Sequence, residues 1–249
     1  MRSALALAAL LFATPATADF TDQELINGFN VTVFGAEVVT NANGPSRIVK
    51  KFTRPVRAHV VEGASPAHAA TVRRFLTRLS GSVHNLSLVS TGQADAADMV
   101  IYLTKRAAYA QTIRATVWPG VDTAFLEANA CSAVIAARRS GIERAFVYLP
   151  TDEGFVAFSH CMVEEITQAL GPANDSETLP DSIFNDQSEL NVFGIFDWYL
   201  LNMLYDPRIR PGMTEADVRP LLPRVIADVR RRAPAALKGS LAHHGLGRR

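Results

Sequence analysis

The segment 192–205, Val-Phe-Gly-Ile-Phe-Asp-Trp-Tyr-Leu-Leu-Asn-Met-Leu-Tyr, is apolar on nearly every side. A helix of that composition has no face to give to water, so other elements must enclose it. It is also shorter than the roughly 20 apolar residues that a membrane-spanning helix requires. The rest of the chain must therefore supply layers around one buried helix.

The sequence before that helix mixes strand and helix signals. Residues 23–29 fit a short helix, and Thr-Asn-Ala-Asn-Gly-Pro-Ser at 40–46 is loop chemistry. The stretch 48–61 is rich in β-branched residues but contains Pro55, which predicts an edge strand or two short strands. Ser65-Pro66 marks a helix start, a capping side chain followed by proline in the first turn. Ala69, Val72, Leu76 and Leu79 then recur at helical spacing. Short apolar runs at 86–90 and 99–103 predict strands, and 105–116 a helix. Runs at 131–137 and 142–149, joined by Arg138-Arg139-Ser140-Gly141, predict a hairpin. A long helix over 154–170 stops at Gly171-Pro172. After the buried helix, Thr214 caps a last helix whose stripe is Val218, Leu221, Leu222, Val225, Ile226 and Val229, bent at its start by Pro220 and Pro223. This order predicts one α+β domain over 19–232, a mixed sheet packed on helices with a helical C-terminal part.

The first 18 residues read as a signal peptide. Arg2 gives a positive start, 5–12 is an apolar run, Pro15 breaks it, and Ala16-Thr17-Ala18 suits cleavage before Asp19. The expectation is a periplasmic or secreted protein without an integral membrane span. Without Arg2 the basic total falls to 24, equal to the acidic one, so overall charge makes no case for nucleic acid. The end of the chain, 233–249, is basic and reads as a solvated tail. Cys131 and Cys161 are the only cysteines, and in an oxidising compartment such a pair predicts a disulfide.

The segment with most chemistry is His160-Cys161-Met162-Val163-Glu164-Glu165-Ile166-Thr167-Gln168-Ala169-Leu170-Gly171-Pro172-Ala173-Asn174-Asp175. On a helix Glu164 and Gln168 share a face, with His160 one turn earlier, and Glu165 lies about 100 degrees round. Taken alone, a Glu-Glu pair on a helix is usually a solvated face, His160 a helix-start residue and Asn174-Asp175-Ser176 a turn cluster. Ser159 and the histidines His59, His68, His84, His243 and His244 lack nucleophile-elbow spacing, so a serine hydrolase has no support.

The same run resembles the zinc peptidases called metzincins, whose motif is His-Glu-x-x-His-x-x-Gly-x-x-His. Glu164, Glu165, Gln168, Gly171 and Asn174 fall on its positions, and Ser182-Ile183-Phe184-Asn185 looks like the family's Met-turn with Phe184 in the methionine place. The resemblance implies a zincin-like fold, Glu165 as general base, Glu164, Gln168 and Asn174 at the metal positions, and Phe184 as the floor of the site. The predicted hairpin before the motif fits the family's order of elements. With Leu204-Tyr205-Asp206-Pro207-Arg208 and Pro211-Gly212-Met213-Thr214, the second half of the chain is also similar to an uncharacterised proteobacterial family of exported proteins, known as a domain of unknown function.

All three zinc-binding histidines of the motif are replaced here. One carboxylate and two amides are poor zinc ligands and suit a hard divalent ion only weakly. Three outcomes follow. The fold is a degenerate metallopeptidase that binds a peptide or protein in its groove without cutting it; or it is a metal-dependent hydrolase with an altered, non-histidine centre and Glu165 as base; or the polar cluster merely braces the helix.

Overall fold

A computed structural model describes residues 20–35, 47–63, 65–185, 187 and 190–233. The leader, the 40–46 loop and the tail from 234 onward, with His243 and His244, lie outside the described residues. The elements run α1 (Asp22–Phe34), β1 (Val56–Val61), α2 (Pro66–Ser82), β2 (Leu88–Ser90), β3 (Met99–Thr104), α3 (Arg106–Thr116), α4 (Thr123–Ala128), β4 (Ser132–Arg138), β5 (Gly141–Pro150), α5 (Phe155–Gln168), α6 (Ile195–Leu204), α7 (Glu215–Val218) and α8 (Leu222–Arg232). The protein is α+β, with a five-stranded, mostly parallel sheet packed against helices.

The strand order is β2-β1-β3-β5-β4. β2, β1, β3 and β5 pair in parallel, and β4 pairs antiparallel with β5 on the outer edge. The predicted hairpin is therefore present, with a register shift between Ala136 and Ala137. Side chains alternate along the strands as the pleat requires. Met99, Ile101 and Leu103 of β3 and Ala145, Val147 and Leu149 of β5 face the main core. Tyr102, Phe146 and Tyr148 face a smaller core with Tyr109 and Ile113 of α3 and Leu126 of α4. The sheet thus carries a helical layer on each face.

Two local expectations change. The stretch 48–61 is not an edge strand: only its last part is β1, and β1 lies between β2 and β3. Pro55 falls just before the strand, where its missing N–H costs no ladder bond. The preceding residues instead bond to two distant segments. Val49 exchanges backbone bonds with Met213 and Gly212, and the Lys51 carbonyl accepts from Ile142 N–H. The Lys51 ammonium donates to the carbonyls of Leu204, at the end of α6, and of Asp206 just beyond it. Burial lowers its pKa to about 8. Ser65 does open α2 with Pro66 in the first turn, but its hydroxyl bonds His68 Nδ1 rather than a helix N–H.

The apolar helix is α6, and Phe196 through Leu204 are all buried. It packs against α1 and α8 and completes the main core. Among the described residues, no helix is long and apolar enough to cross a membrane.

Cys131, just before β4, is bonded to Cys161 on α5, with the two Cα atoms 5.8 Å apart. The bond spans a sequence separation of 30. Closing a loop of that size restricts the unfolded chain by about 3.5 kcal/mol by the chain-entropy argument. Replacing both cysteines with alanine should lower unfolding stability by about that amount, measured by urea titration against the oxidised parent. An unchanged midpoint would show that the bond adds nothing to the folded state.

Candidate functional site

The site is built on α5. Gly154, with φ of +95°, turns the chain out of β5 into the helix. At the other end Gly171 has φ of +137°, and a Cβ there would strike the carbonyl oxygen of Lys50. Glycine is the residue that tolerates both conditions. The chain leaves α5 through this turn toward Asn174.

Along α5, Phe158, Cys161, Met162 and Ile166 enter the main core. Unexpectedly for a Glu-Glu pair, Glu164 and Glu165 are only 8% and 6% exposed. One carboxylate oxygen of each and the Cys131 sulfur all lie within 4.8 Å of one another. Two carboxylates this close and this buried need compensation for the water contacts they lose. Part of it comes from His160, whose Nε2 stands 3.1 Å from Glu164 Oε2 across one helical turn. Its Nδ1 lies 2.6 Å from the Leu190 carbonyl. The hydrogen bond to Glu164 is the largest cause holding the His160 pKa above its usual value. Helical spacing puts His160 on the face of Glu164, and the structure pairs the two side chains there.

The remaining motif positions have internal contacts. Gln168, also buried, donates its amide N–H to Asp175 Oδ1 at 2.9 Å. Asn174 donates to the carbonyls of Val31 (3.1 Å) and Asp175 (2.8 Å), and packs on Gly35 at the end of α1. With one carboxylate already paired to His160 and two amide nitrogens turned to protein acceptors, this donor set does not suit zinc. No step is derived through a metal at these positions.

Phe184 is fully buried in the loop after α5. That loop is held by Asp197 of α6, the lone acid in a mostly apolar helix. Asp197 accepts from Ser182 Oγ (2.6 Å), Ile183 N–H and Gly194 N–H. Ser182 Oγ in turn accepts from Phe184 N–H. Burial outweighs these bonds and pushes the Asp197 carboxyl up to about 6. The sequence carried a signal for this role, an acid where the buried helix has no solvent face, but not its partners. Tyr109 and Ser132 were also missed. The Tyr109 hydroxyl donates to Ser132 Oγ at 2.9 Å. Burial raises the Tyr109 pKa most, and the Glu165 charge adds to the rise.

Two pH effects follow. Asp197 has a folded-state pKa above its ordinary 3.8, so its contribution to stability is complete below about 3.8 and is lost as pH rises through about 6. The stability of the parent relative to Asp197→Asn should fall by up to roughly 3 kcal/mol between about pH 4 and 7, measured by urea unfolding. A difference that stays constant over that window would contradict the raised pKa. The His160 shift acts below and through its own raised pKa: the pair stabilises the fold at acid pH and that part disappears as His160 deprotonates. In an NMR titration His160 should deprotonate above the ordinary 6.5 in the parent and at lower pH in Glu164→Gln.

No match to the chain is found among the curated proteins. A family profile does match it, over residues 22–224, which takes in the sheet, α5, the Asp197 loop and the first turn of α8. The chain belongs to the family described as "Protein of unknown function (DUF2927)".

Proposed function

We propose that this is an exported protein with a degenerate, zincin-like fold that holds an extended peptide along the outer edge of β4 without cleaving it. The observation that carries this reading is the state of that edge. Among the described residues no strand pairs with β4 on its outer side. From Ser132 to Ala137 it has neither charge nor proline, the devices that usually blunt an exposed edge. An extended peptide can add to such an edge by main-chain hydrogen bonds and place alternate side chains against the adjoining surface. Cys131 pins the start of this strand to α5, so the peptide would run beside Glu164 and Glu165. The absence of cleavage is argued from the donor set, which lacks imidazole at every metal position. The zincin-like assignment is supported by the antiparallel β4–β5 hairpin leading directly into α5 and by the positive-φ glycine at Gly171. Export is supported by the leader sequence and agrees with the disulfide.

A second reading, a metal-dependent hydrolase with Glu165 as general base, draws on the close approach of the Glu164 and Glu165 carboxylates. One experiment separates the two. A random peptide library is panned against the oxidised protein, and a recovered peptide is measured with and without N-methylation of alternate amides. Binding should weaken by at least about tenfold when the outward-bonding amides are methylated, and the peptide should be recovered intact. Failure to enrich any peptide, or indifference to methylation, counts against the edge. Cleavage by the parent that Glu165→Gln abolishes would replace this reading with the hydrolase.

A further inference from the structure

The close grouping of Cys131 with Glu164 and Glu165 involves none of the amide positions of the zincin-like motif. It joins residues from two elements. Cys131 precedes β4, while Cys161, Glu164 and Glu165 sit on consecutive turns of α5, three and four residues apart and facing one region. All four side chains are buried. A sulfur and two carboxylate oxygens within 4.8 Å of one another approach the spacing of one coordination shell. Ligand atoms around a tetrahedral zinc stand about 3.4–3.8 Å apart, given Zn–S near 2.3 Å and Zn–O near 2.1 Å. In the oxidised protein the sulfurs are consumed by their bond to each other, and a disulfide sulfur is no thiolate ligand.

We propose that reduction of the Cys131–Cys161 bond opens a buried site for a thiophilic divalent cation, with zinc as the natural occupant, held by the two cysteine thiolates together with Glu164 and Glu165. The steps balance. A dithiol reductant attacks the disulfide, the S–S bond breaks, two electrons and two protons pass to the protein sulfurs, and the reductant leaves as its own disulfide. The cation then displaces both thiol protons to solvent as it binds. The carboxylate pair gives the site its character. Two buried carboxylates whose oxygens lie within 4.8 Å of each other offer a divalent cation two negative ligands beside the thiolates. His160, held between Glu164 and the Leu190 carbonyl, orients one ligand from behind. The site is therefore gated by redox state: closed with the disulfide formed, open when the thiols are free. It does not depend on peptide binding at β4.

The test compares oxidised full-length protein with protein reduced anaerobically by a non-chelating phosphine. Cadmium reports thiolate ligation through its ultraviolet charge-transfer band, and zinc affinity is read by competition with a chromophoric chelator. Reduced protein should take up one equivalent of cadmium with the thiolate band, and the oxidised protein should show no such band. Glu164→Gln and Glu165→Gln should each weaken zinc binding to the reduced protein by about tenfold or more. Zinc should also raise the unfolding midpoint of reduced parent protein but not of the Cys131→Ser, Cys161→Ser double variant. Equal zinc affinity in the two redox states would overturn the proposal. So would unchanged affinity in both glutamine variants, which would mean a simple dithiol site. A reduced protein that is unfolded and stays unfolded with zinc also overturns it, because the carboxylates could not then converge.

Discussion

The covalent tie between Cys131 and Cys161 sets the geometry on which the candidate site depends. It fixes the point where the chain enters the edge strand against the middle of α5. Everything one turn further along that helix is then located relative to β4. Glu164 and Glu165 are brought against the start of the strand, under cover, instead of facing solvent. A buried carboxylate pair opposes folding, since desolvation and repulsion act in the same direction. The fold tolerates it because the rest of α5 buries Phe158, Met162 and Ile166 in the main core, and because His160 returns part of the lost solvation to Glu164. A polar cluster maintained at such a cost invites a functional explanation more readily than a solvated pair would.

Another buried acid organises the loop that carries Phe184. Asp197 has no solvent contact, yet it gathers the hydroxyl of Ser182 and the backbone N–H groups of Ile183 and Gly194. These bonds fold the loop that carries Phe184 back onto α6. Without an internal acceptor the loop's N–H groups would be buried unpaired, which costs more than an ordinary hydrogen bond contributes. The apolar character of α6 and its single acid are thus parts of one arrangement: the helix fills the core, and the acid ties the neighbouring loop to it.

Much of the architecture was legible from residue patterns. The helix over 154–170 appears as α5, with its stop at Gly171, because helical periodicity and stop residues act locally. The hairpin between Ala137 and Ile142 was legible for the same reason, through the turn chemistry of Arg138-Arg139-Ser140-Gly141. The strand at 48–61 was misplaced because Pro55 indicates only that no ladder bond forms at that residue. It does not indicate which strands lie to either side. The cap at Ser65 was misassigned because its hydroxyl had two acceptable partners, a helix N–H and the His68 ring, and their choice depends on how the loop from Glu62 closes.

Local sequence alone predicts that a mostly apolar helix lies inside, that a long helix over 154–170 stops at Gly171, that positions 164, 168 and 174 carry no histidine, and that two cysteines are available to pair. These are properties of residue type and short-range spacing. The tertiary structure alone decided that Glu164 and Glu165 are buried together beside Cys131, that His160 is bonded to Glu164 and to the Leu190 carbonyl, and that Asp197 holds the Phe184 loop. Each of these depends on which segments meet across long stretches of chain. Helical spacing can put two acids on neighbouring faces, but only the packing of a strand against those faces determines whether they meet water, each other or a sulfur atom.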